Sequence, residues 1–332
     1  MLGFLANTVA NKWSPTRPKL VNTHVDLTGR TIIITGSNVG LGLEAAKKFY
    51  ALNPERLILA VRSINKGEEA KGEILALGES KTRVEVWELD LASFDSVKRF
   101  AKRCEDSLER LDILLENAAL ISQDWTVTTD GWEIQTQVNV ISTFLLARLL
   151  FPMLEKTARL YPSNASPKPH LVIVASDAHF AAPFKVKSAP DIFAALNAQE
   201  NFESGNRYSD TKLFDIMLTR QLAQSPRYKQ EDTGVVICTV NPGWCRSELL
   251  RDLGSGPRAI SYAVFAKTTE QGARTFTWAC LNDVPSGSYT SSCRVEEPSR
   301  FVRSDNGAAI AEKLWKELSA ILATVEPSLV QE

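Results

Sequence analysis

A tyrosine and a lysine lie four residues apart in the run Tyr208-Ser209-Asp210-Thr211-Lys212, whose apolar spacing predicts a helix. Residues at i and i+4 share one face of a helix, so the phenol and the ammonium are expected side by side. An ordinary phenol, with a pKa of about 10, is a poor base at neutral pH. A lysine charge about 4 Å away at an effective dielectric near 20 favours the phenolate by roughly 4 kcal/mol, which is about three pKa units. The spacing therefore predicts acid–base chemistry at Tyr208, with a pKa near working pH.

A serine and a glycine-rich turn each follow a predicted strand. Ser176 ends an apolar run, where its hydroxyl can hydrogen-bond the carbonyl oxygen of a substrate. The turn, TGSNVGLG at 35–42, opens into a helix, and its glycines allow a tight turn, close approach of backbone N–H groups to a pyrophosphate and close packing of helix on strand. A purely structural turn is the alternative. We expect the dinucleotide contacts at Gly36, Ser37, Asn38, Gly40, Leu41 and Gly42.

Two basic residues follow the second predicted strand, which ends Ala60-Val61-Arg62-Ser63. The Asp or Glu that binds the ribose 2′-hydroxyl of NAD is missing there. The planar guanidinium of Arg62 suits a 2′-phosphate instead, and Lys66 adds a positive charge one helical turn further on. A solvated arginine at a strand end is the alternative. The sequence favours NADP(H) over NAD(H).

These motifs, T-G-x-x-x-G-x-G with Y-x-x-x-K, resemble the short-chain dehydrogenase/reductase family, and the resemblance spans roughly residues 27–325. It implies a catalytic tetrad of Asn139, Ser176, Tyr208 and Lys212. Ser176 would orient the oxygen, Tyr208 would pass the proton, Lys212 would lower the phenol pKa, and Asn139 would hold a water in a relay to the lysine. The glycine loop and VNPGWCRSEL look closest to retinol-dehydrogenase-like members and to fungal members that accompany secondary-metabolite synthesis.

The resemblance also implies adenosine contacts. Asp90 and Leu91 match the pair that faces the adenine, although capping of the next helix explains Asp90 as well. Asn117 and Ala118 match part of the family's N-N-A-G beside the ribose. Glu116, in place of the first Asn of that motif, is a departure, and a buried glutamate needs a partner. A second departure is Ala119, in place of the glycine.

On the nicotinamide side, the resemblance implies contacts from Pro242, Gly243 and Ser247. Ser247 stands where the family has Thr and keeps its hydroxyl. Tyr208 and Lys212 are expected to reach the nicotinamide ribose.

Short β-branched or aliphatic runs alternate with longer amphipathic stretches, which predicts βα units and a parallel sheet. We expect the α/β class, with a Rossmann-like doubly wound sheet in a three-layer αβα single domain. The predicted strands are 31–35, 56–61, 84–89, 111–115, 170–175 and 235–240, and the predicted helices are 41–52, 66–77, 93–108, 131–154 and 208–222.

A chain of 332 residues is long enough for two domains, but no linker or repeat divides it, so we expect one domain over 27–325. Insertions at 180–207 and 244–268 follow strand ends and are predicted to wall the substrate pocket. The tail 307–325 has the apolar face of a helix that caps the domain. Residues 1–26 are expected to pack on the domain, with weak binding at a membrane surface as the alternative.

Composition excludes several classes of protein. Lys+Arg 38 against Asp+Glu 39 leaves a net charge of −1 and no nucleic-acid footprint. Five separated cysteines without C-x-x-C predict neither a disulfide framework nor a metal site. We therefore expect a reducing, cytoplasmic location, no metal and no membrane contact, while the resemblance allows a homodimer.

Taken together, the motifs and the resemblance predict an NADP(H)-dependent oxidoreductase that interconverts a carbonyl and an alcohol on a small molecule. A non-redox protein on the same fold, such as a cyclase, an isomerase or a cofactor-binding sensor, is the alternative. His179 is interpreted as either a pocket residue or a structural one, and Cys245 as a small hydrophobe. Aromatic residues on the insertions suggest a lipophilic substrate, with core packing as the alternative: Phe180, Phe184, Phe193, Phe202 and Trp244.

Overall fold

The structure, a computed structural model, describes residues 25–162, 167–245 and 266–331. Eight strands form one sheet in the order β3-β2-β1-β4-β5-β6-β7-β8. All pairs are parallel except β7 with β8. The strands are β1 Thr31–Thr35, β2 Arg56–Val61, β3 Arg83–Glu88, β4 Ile113–Glu116, β5 His170–Val174, β6 Val236–Asn241, β7 Ser288–Ser291 and β8 Arg294–Glu296.

The central strands are near-continuous apolar runs because both faces of the sheet are covered. Every residue of β1, β4, β5 and β6 is buried. Alternate side chains enter different cores: Ile33 joins one cluster, while Ile32 and Ile34 join the other. The predicted three-layer, doubly wound, single-domain fold is confirmed.

Helices cover the sheet on both sides. Residues of α3, α4, α6 and α9 line the first core, and residues of α1, α2 and α8 line the second. The α-helices of at least four residues in the described ranges are α1 Gly40–Tyr50, α2 Ile64–Leu75, α3 Phe94–Ser107, α4 Ile134–Leu160, α5 Ile192–Asn197, α6 Ser204–Gln224, α7 Gln230–Thr233, α8 Thr269–Leu281 and α9 Asp305–Val325.

Within the described part of the chain, α4 alone is long and apolar enough to cross a membrane. The mean hydropathy of its most apolar 18-residue stretch is 1.5, but 89% of that stretch is buried inside the protein. A wide π-helical turn, Gln137–Ile141, interrupts it near its start. Burial on this scale identifies α4 as the central core helix beneath the sheet.

The C-terminal helix α9 confirms the predicted cap. Leu314, Leu318 and Leu322 are fully buried. Ile310, Ile321 and Val325 are partly buried and pack against the same core. The predicted helical face is therefore the face that the structure buries.

Five of the labelled elements were not predicted from the sequence: β7, β8, the short helices α5 and α7, and α8. β7 reads SYTS and β8 reads RVE, which are short segments without an apolar run. α8 carries Gly272 and two internal threonines, which weaken its helical signal, but a capping box between Thr268 and Gln271 fixes its start. The predicted boundaries of other elements shift by a few residues, and α6 begins at Ser204 rather than Tyr208.

Several predictions fall on residues outside the described ranges. These are residues 1–24 of the N-terminal extension, residues 246–265 of the second insertion, and the nicotinamide contact expected at Ser247. The first insertion, 180–207, is described: it contains α5 and leads directly into α6.

Candidate active site

The tyrosine and the lysine of the predicted pair lie on one face of α6. Lys212 is 3% exposed, and its Nζ lies 5.9 Å from the centroid of the Tyr208 ring. Nζ donates to the carbonyl oxygen of Val174, the last residue of β5, at 2.8 Å and pairs with Asp215 Oδ2 at 2.8 Å. The ammonium is thus fixed between the end of the sheet and its own helix, beside the phenol.

Ser176 lies two residues beyond β5, next to the same phenol. Its Oγ accepts the backbone N–H of Ala178 at 3.1 Å, at the start of a short 3₁₀ helix, and its hydroxyl hydrogen-bonds Tyr208. The structure therefore brings Ser176, Tyr208 and Lys212 together at the carboxyl end of the parallel strands, where open α/β sheets bind ligands.

The pKa of Tyr208 differs from the sequence-based expectation. Burial raises the pKa above its usual value, while Lys212 and the hydrogen bond from Ser176 lower it and Asp215 raises it again. The prediction that the pKa falls to near working pH is wrong. A four-residue spacing takes no account of burial, which has the largest effect on this pKa, or of Asp215, whose negative charge opposes the effect of Lys212. Tyr208 is held as a neutral phenol, able to donate a proton.

Asn139 lies within the π-helical turn of α4, and its side chain is fully hydrogen-bonded. Its Nδ2 donates to Leu120 O at 3.0 Å and to Thr211 Oγ1 at 3.2 Å, and its Oδ1 accepts from Leu120 N at 2.9 Å. These bonds tie the loop after β4 to α6 beside Lys212. The geometry makes Asn139 a positioning residue, and its part in a proton relay stays a prediction.

The segment that follows β4 packs against the glycine loop. Asn117 Nδ2 donates to Thr35 O at 2.9 Å and to Gly36 O at 3.1 Å. A Cβ on Gly36, which has φ +64°, would lie 2.9 Å from Ala118 Cα, and one on Gly42 would lie 2.5 Å from Asn117 Nδ2. Asn117 and Ala118 therefore support the loop, and their contact with a cofactor stays a prediction.

The start of α1 fits a dinucleotide. The N-cap residue Val39 provides no side-chain hydrogen bond and is 42% exposed, and a Cβ on Gly40 (φ +62°) would meet open space. An open helix N-terminus of this kind attracts a pyrophosphate. Asn38 and Leu41 flank it, half-buried. Ser37 is fully buried and donates its hydroxyl to Ile34 O at 2.9 Å, and its contact with a cofactor stays a prediction.

Arg62 and Lys66 are both exposed at the carboxyl edge of the sheet. Arg62 directly follows β2, and Lys66 lies in the first turn of α2, whose N-cap is Ser63. Both cations are placed where an anion at this edge can reach them.

Asp90 and Leu91 follow β3, but Asp90 does not cap α3. Its Oδ1 accepts from Ala92 N at 2.9 Å, whereas Ser93 is the N-cap residue and accepts from Ser96 N at 3.3 Å. The capping explanation for Asp90 is wrong because a better-placed serine follows it. Leu91 is buried, and the adenine contact of this pair stays a prediction.

The turn at Pro242 and Gly243 is tied to the segment after Ser176. Gly243, at φ +76°, donates its N–H to Asn241 Oδ1 at 2.9 Å. Asn241 in turn donates to a carboxylate oxygen of Asp177. The turn therefore lies close to Ser176, and the contact of Pro242 and Gly243 with the nicotinamide stays a prediction.

Most of the remaining candidates have structural roles. The Nε2 atom of His179 accepts from Ser299 N at 3.1 Å and Nδ1 donates to Ser176 O at 2.7 Å, while burial lowers the His179 pKa to about 4. Cys245 is buried and packs against Gly272, and burial raises its pKa to about 12. Phe184 and Phe193 belong to the core, whereas Phe180 is 40% exposed. In the described ranges no group of three His, Cys, Asp or Glu residues could hold a metal.

Two buried carboxyl groups near Lys212 add to the site. Asp215 was missed by sequence reasoning, although an acid three residues beyond a lysine on an apolar helix is a detectable signal. Glu116 was noted only as a departure. Burial and then the charge of Asp215 raise the pKa of Glu116 well above its usual value, which favours its neutral form.

Comparison with known proteins agrees with this geometry. The family model described as short chain dehydrogenase matches residues 30–181. A short chain dehydrogenase/reductase, dmxR8 of Cryptosporiopsis sp. (strain 8999), is 39% identical over 308 residues, covering 91% of this chain and 93% of the relative. The short-chain dehydrogenase anuD of Penicillium roqueforti (strain FM164) is 37% identical, with 93% and 81% covered. The chain belongs to the short-chain dehydrogenase/reductase family, and it is an oxidoreductase by that membership.

Solved structures share the fold. A protein from Mycobacterium paratuberculosis superimposes with a TM-score of 0.67 at 25% identity, covering 92% of this chain and 97% of that one. The L-sorbose reductase of Gluconobacter frateurii, solved with NADPH and L-sorbose, gives a TM-score of 0.58 at 20% identity, covering 80% and 96%.

Proposed function

We propose that the protein is an NADP(H)-dependent reductase that converts the carbonyl group of a small, lipophilic molecule to an alcohol. The observation that carries the proposal is the cluster of Ser176, Tyr208 and Lys212, in which a buried ammonium lies beside a neutral phenol and a serine hydroxyl. The open N-terminus of α1 lies on the same edge of the sheet.

The choice of NADP(H) rests on Arg62 and Lys66. Both are exposed beside the end of β2, where an acidic residue would repel a 2′-phosphate. A guanidinium can bind a phosphate through two parallel hydrogen bonds, and the lysine adds a second charge. The L-sorbose reductase that shares this fold was solved with NADPH, which fits the same choice.

When bound, NADPH supplies the hydride. The hydroxyl groups of Ser176 and Tyr208 are hydrogen-bonded neighbours, so both can donate to a carbonyl oxygen bound beside them. Tyr208 then gives its proton to the oxygen as negative charge develops on it. Lys212, held by Val174 and Asp215, stabilises the phenolate that remains.

The reductive direction is proposed from the state of Tyr208. Its pKa is raised by burial, so the side chain is a proton donor at neutral pH, which suits carbonyl reduction. The exposed ring of Phe180, close after Ser176, supports a lipophilic substrate. Fungal relatives with the same family description are consistent with an intermediate of secondary metabolism. All five cysteines are thiols, which supports a reducing compartment such as the cytoplasm.

The test is NADPH consumption with a panel of lipophilic ketones and aldehydes, together with NADPH binding by fluorescence. Wild-type protein is expected to consume one NADPH per alcohol formed. Tyr208→Phe is expected to bind NADPH normally but to lose about 10²- to 10⁴-fold in turnover. A panel that yields tight NADPH binding but no NADPH oxidation, or a Tyr208→Phe variant with full turnover, would contradict the proposal.

A further inference from the structure

Two buried carboxyl groups lie behind Lys212, on the side of the sheet that α6 covers. Glu116 ends β4 and pairs in register with Ile173 of β5. Register partners in a sheet point to the same face, and Ile173 lies in the core that α6 lines. The side chain of Glu116 therefore points towards α6, which carries Lys212 and Asp215.

Three oxygen atoms of this pair have no hydrogen-bond partner among the described residues: both carboxylate oxygens of Glu116 and Oδ1 of Asp215. Glu116 is 3% exposed and Asp215 is fully buried. A buried polar atom without a partner is costly. Two neighbouring carboxyl groups relieve that cost when they share one proton, because the acid donates to the carboxylate.

We propose that Glu116 is a positioning residue for carbonyl reduction: as a neutral acid it donates its hydroxyl to Oδ1 of Asp215, directly or through one enclosed water. Asp215 thereby stays ionised, with Oδ2 held against Lys212. This inference rests on the proposed function for its kinetic consequences, but not for its protonation pattern.

The protonation pattern agrees with the geometry. Burial raises the pKa of Asp215 to about 6 against the opposing effect of Lys212, whereas the pKa of Glu116 is raised well above its usual value. Burial and the charge of Asp215 both raise the pKa of Glu116, whereas Lys212 lowers the pKa of Asp215, so a proton on the pair is favoured on Glu116. Among the described residues, α6 contributes Lys212 and Tyr208 as the other titratable groups of this cluster, while β5 and α4 contribute neutral groups.

The pair acts on the reaction through α6. The charge of Asp215 raises the pKa of both Lys212 and Tyr208. It therefore helps to keep Lys212 an ammonium and Tyr208 a protonated donor. Without the hydrogen bond from Glu116, Asp215 would bind a proton more readily. A smaller fraction of Asp215 would then carry the negative charge.

Infrared spectroscopy tests the protonation directly. Wild-type protein at pH 7.5 is expected to show the carbonyl stretch of a protonated carboxylic acid, and Glu116→Gln is expected to lack it. This readout needs neither cofactor nor substrate, so its failure is separate from failure of the proposed function. Wild-type and Glu116→Gln spectra that are identical in this region would overturn the inference.

Kinetics test the positioning. The amide of Glu116→Gln keeps a donor for Asp215, so kcat is expected to stay within about three-fold. Glu116→Leu removes the donor and is expected to lower kcat about ten-fold with little change in the KM for NADPH. Asp215→Asn removes a charge that raises the pKa of Tyr208. It is therefore expected to move the basic limb of the plot of kcat against pH to a lower pH by about one unit.

A folding control keeps the comparison decisive. Glu116→Asn carries the residue typical of the family at this position and is too short to donate to Asp215 as glutamate does, so it should fold and behave kinetically like Glu116→Leu. If Gln, Leu and Asn at this position give equal kcat values and the same basic limb, Glu116 does not position Asp215 and the inference is wrong.

Discussion

Lys212 and Asp215 form a buried ion pair, with Nζ 2.8 Å from Oδ2 and both side chains nearly inaccessible to solvent. A buried charge needs a partner, so each residue accounts for the presence of the other. The pair also explains why Lys212 does not by itself give Tyr208 a low pKa. The negative charge of Asp215 raises that pKa and so opposes the effect of the ammonium.

Lys212→Met is expected to destabilise the protein by about 3–5 kcal/mol at pH 8, since it leaves Asp215 charged and unpaired in the core. Urea unfolding measures the loss. The double variant Lys212→Met/Asp215→Leu should recover most of the stability and none of the turnover. A double variant no more stable than Lys212→Met would show that the pair is not the source of the effect.

A second buried ion pair holds the start of α6 against the start of α4. Arg207, 2% exposed, lies 3.4 Å from Glu133 Oε2 and donates to Thr136 Oγ1 at 3.1 Å. Arg207→Met should cost about 3–5 kcal/mol and lower kcat, because the residue immediately precedes Tyr208. Lys102→Met, which breaks an exposed helical pair with Asp106, is the matched control and should cost under about 1 kcal/mol. Equal losses in urea unfolding would contradict the assignment.

The glycine loop gives a prediction that separates binding from folding. Gly36→Ala places a Cβ 2.9 Å from backbone at Ala118 in a left-handed conformation, so NADPH affinity is expected to fall about ten-fold or more. Gly72→Ala, in α2 where a Cβ meets open space, should leave affinity unchanged and add about 0.5–1 kcal/mol of stability. Fluorescence titration and urea unfolding of both variants provide the comparison.

Cofactor preference depends on the two exposed cations after β2. Replacing Arg62 and Lys66 by alanine should weaken NADPH binding by about 1.5–3 kcal/mol and leave NADH binding unchanged, since only NADPH carries the 2′-phosphate. Lys71→Ala, further along α2, is the control for a general loss of positive charge. Equal weakening of both dinucleotides would place the 2′-phosphate elsewhere.

How far the sequence predicts the site depends on whether the information is local. The glycine loop and the pair Tyr208 and Lys212 lie within single turns of chain, where spacing determines geometry, and the structure gives them the predicted positions. β7 was missed because SYTS has no apolar run and becomes a strand only by pairing with β6.

The errors at the centre of the site have a non-local origin. The pKa of Tyr208 depends on burial beneath the neighbouring segments and on Asp215, neither of which follows from a four-residue spacing. Glu116 and Lys212 are 96 residues apart by their numbering, and only the register of β4 with β5 brings them to the same face.

The last prediction concerns stability against pH and follows from the raised pKa of Glu116. In the unfolded chain this carboxyl ionises above about pH 4.3, whereas in the folded protein it stays protonated to a much higher pH. The unfolded state therefore binds fewer protons in that window, and wild-type stability falls as pH rises by up to about 1.4 kcal/mol per unit from this group. Glu116→Gln cannot ionise in either state, so its free energy of unfolding should decline less steeply between about pH 5 and pH 8. Urea unfolding at a series of pH values measures both slopes, and parallel curves would mean that Glu116 ionises normally in the folded protein.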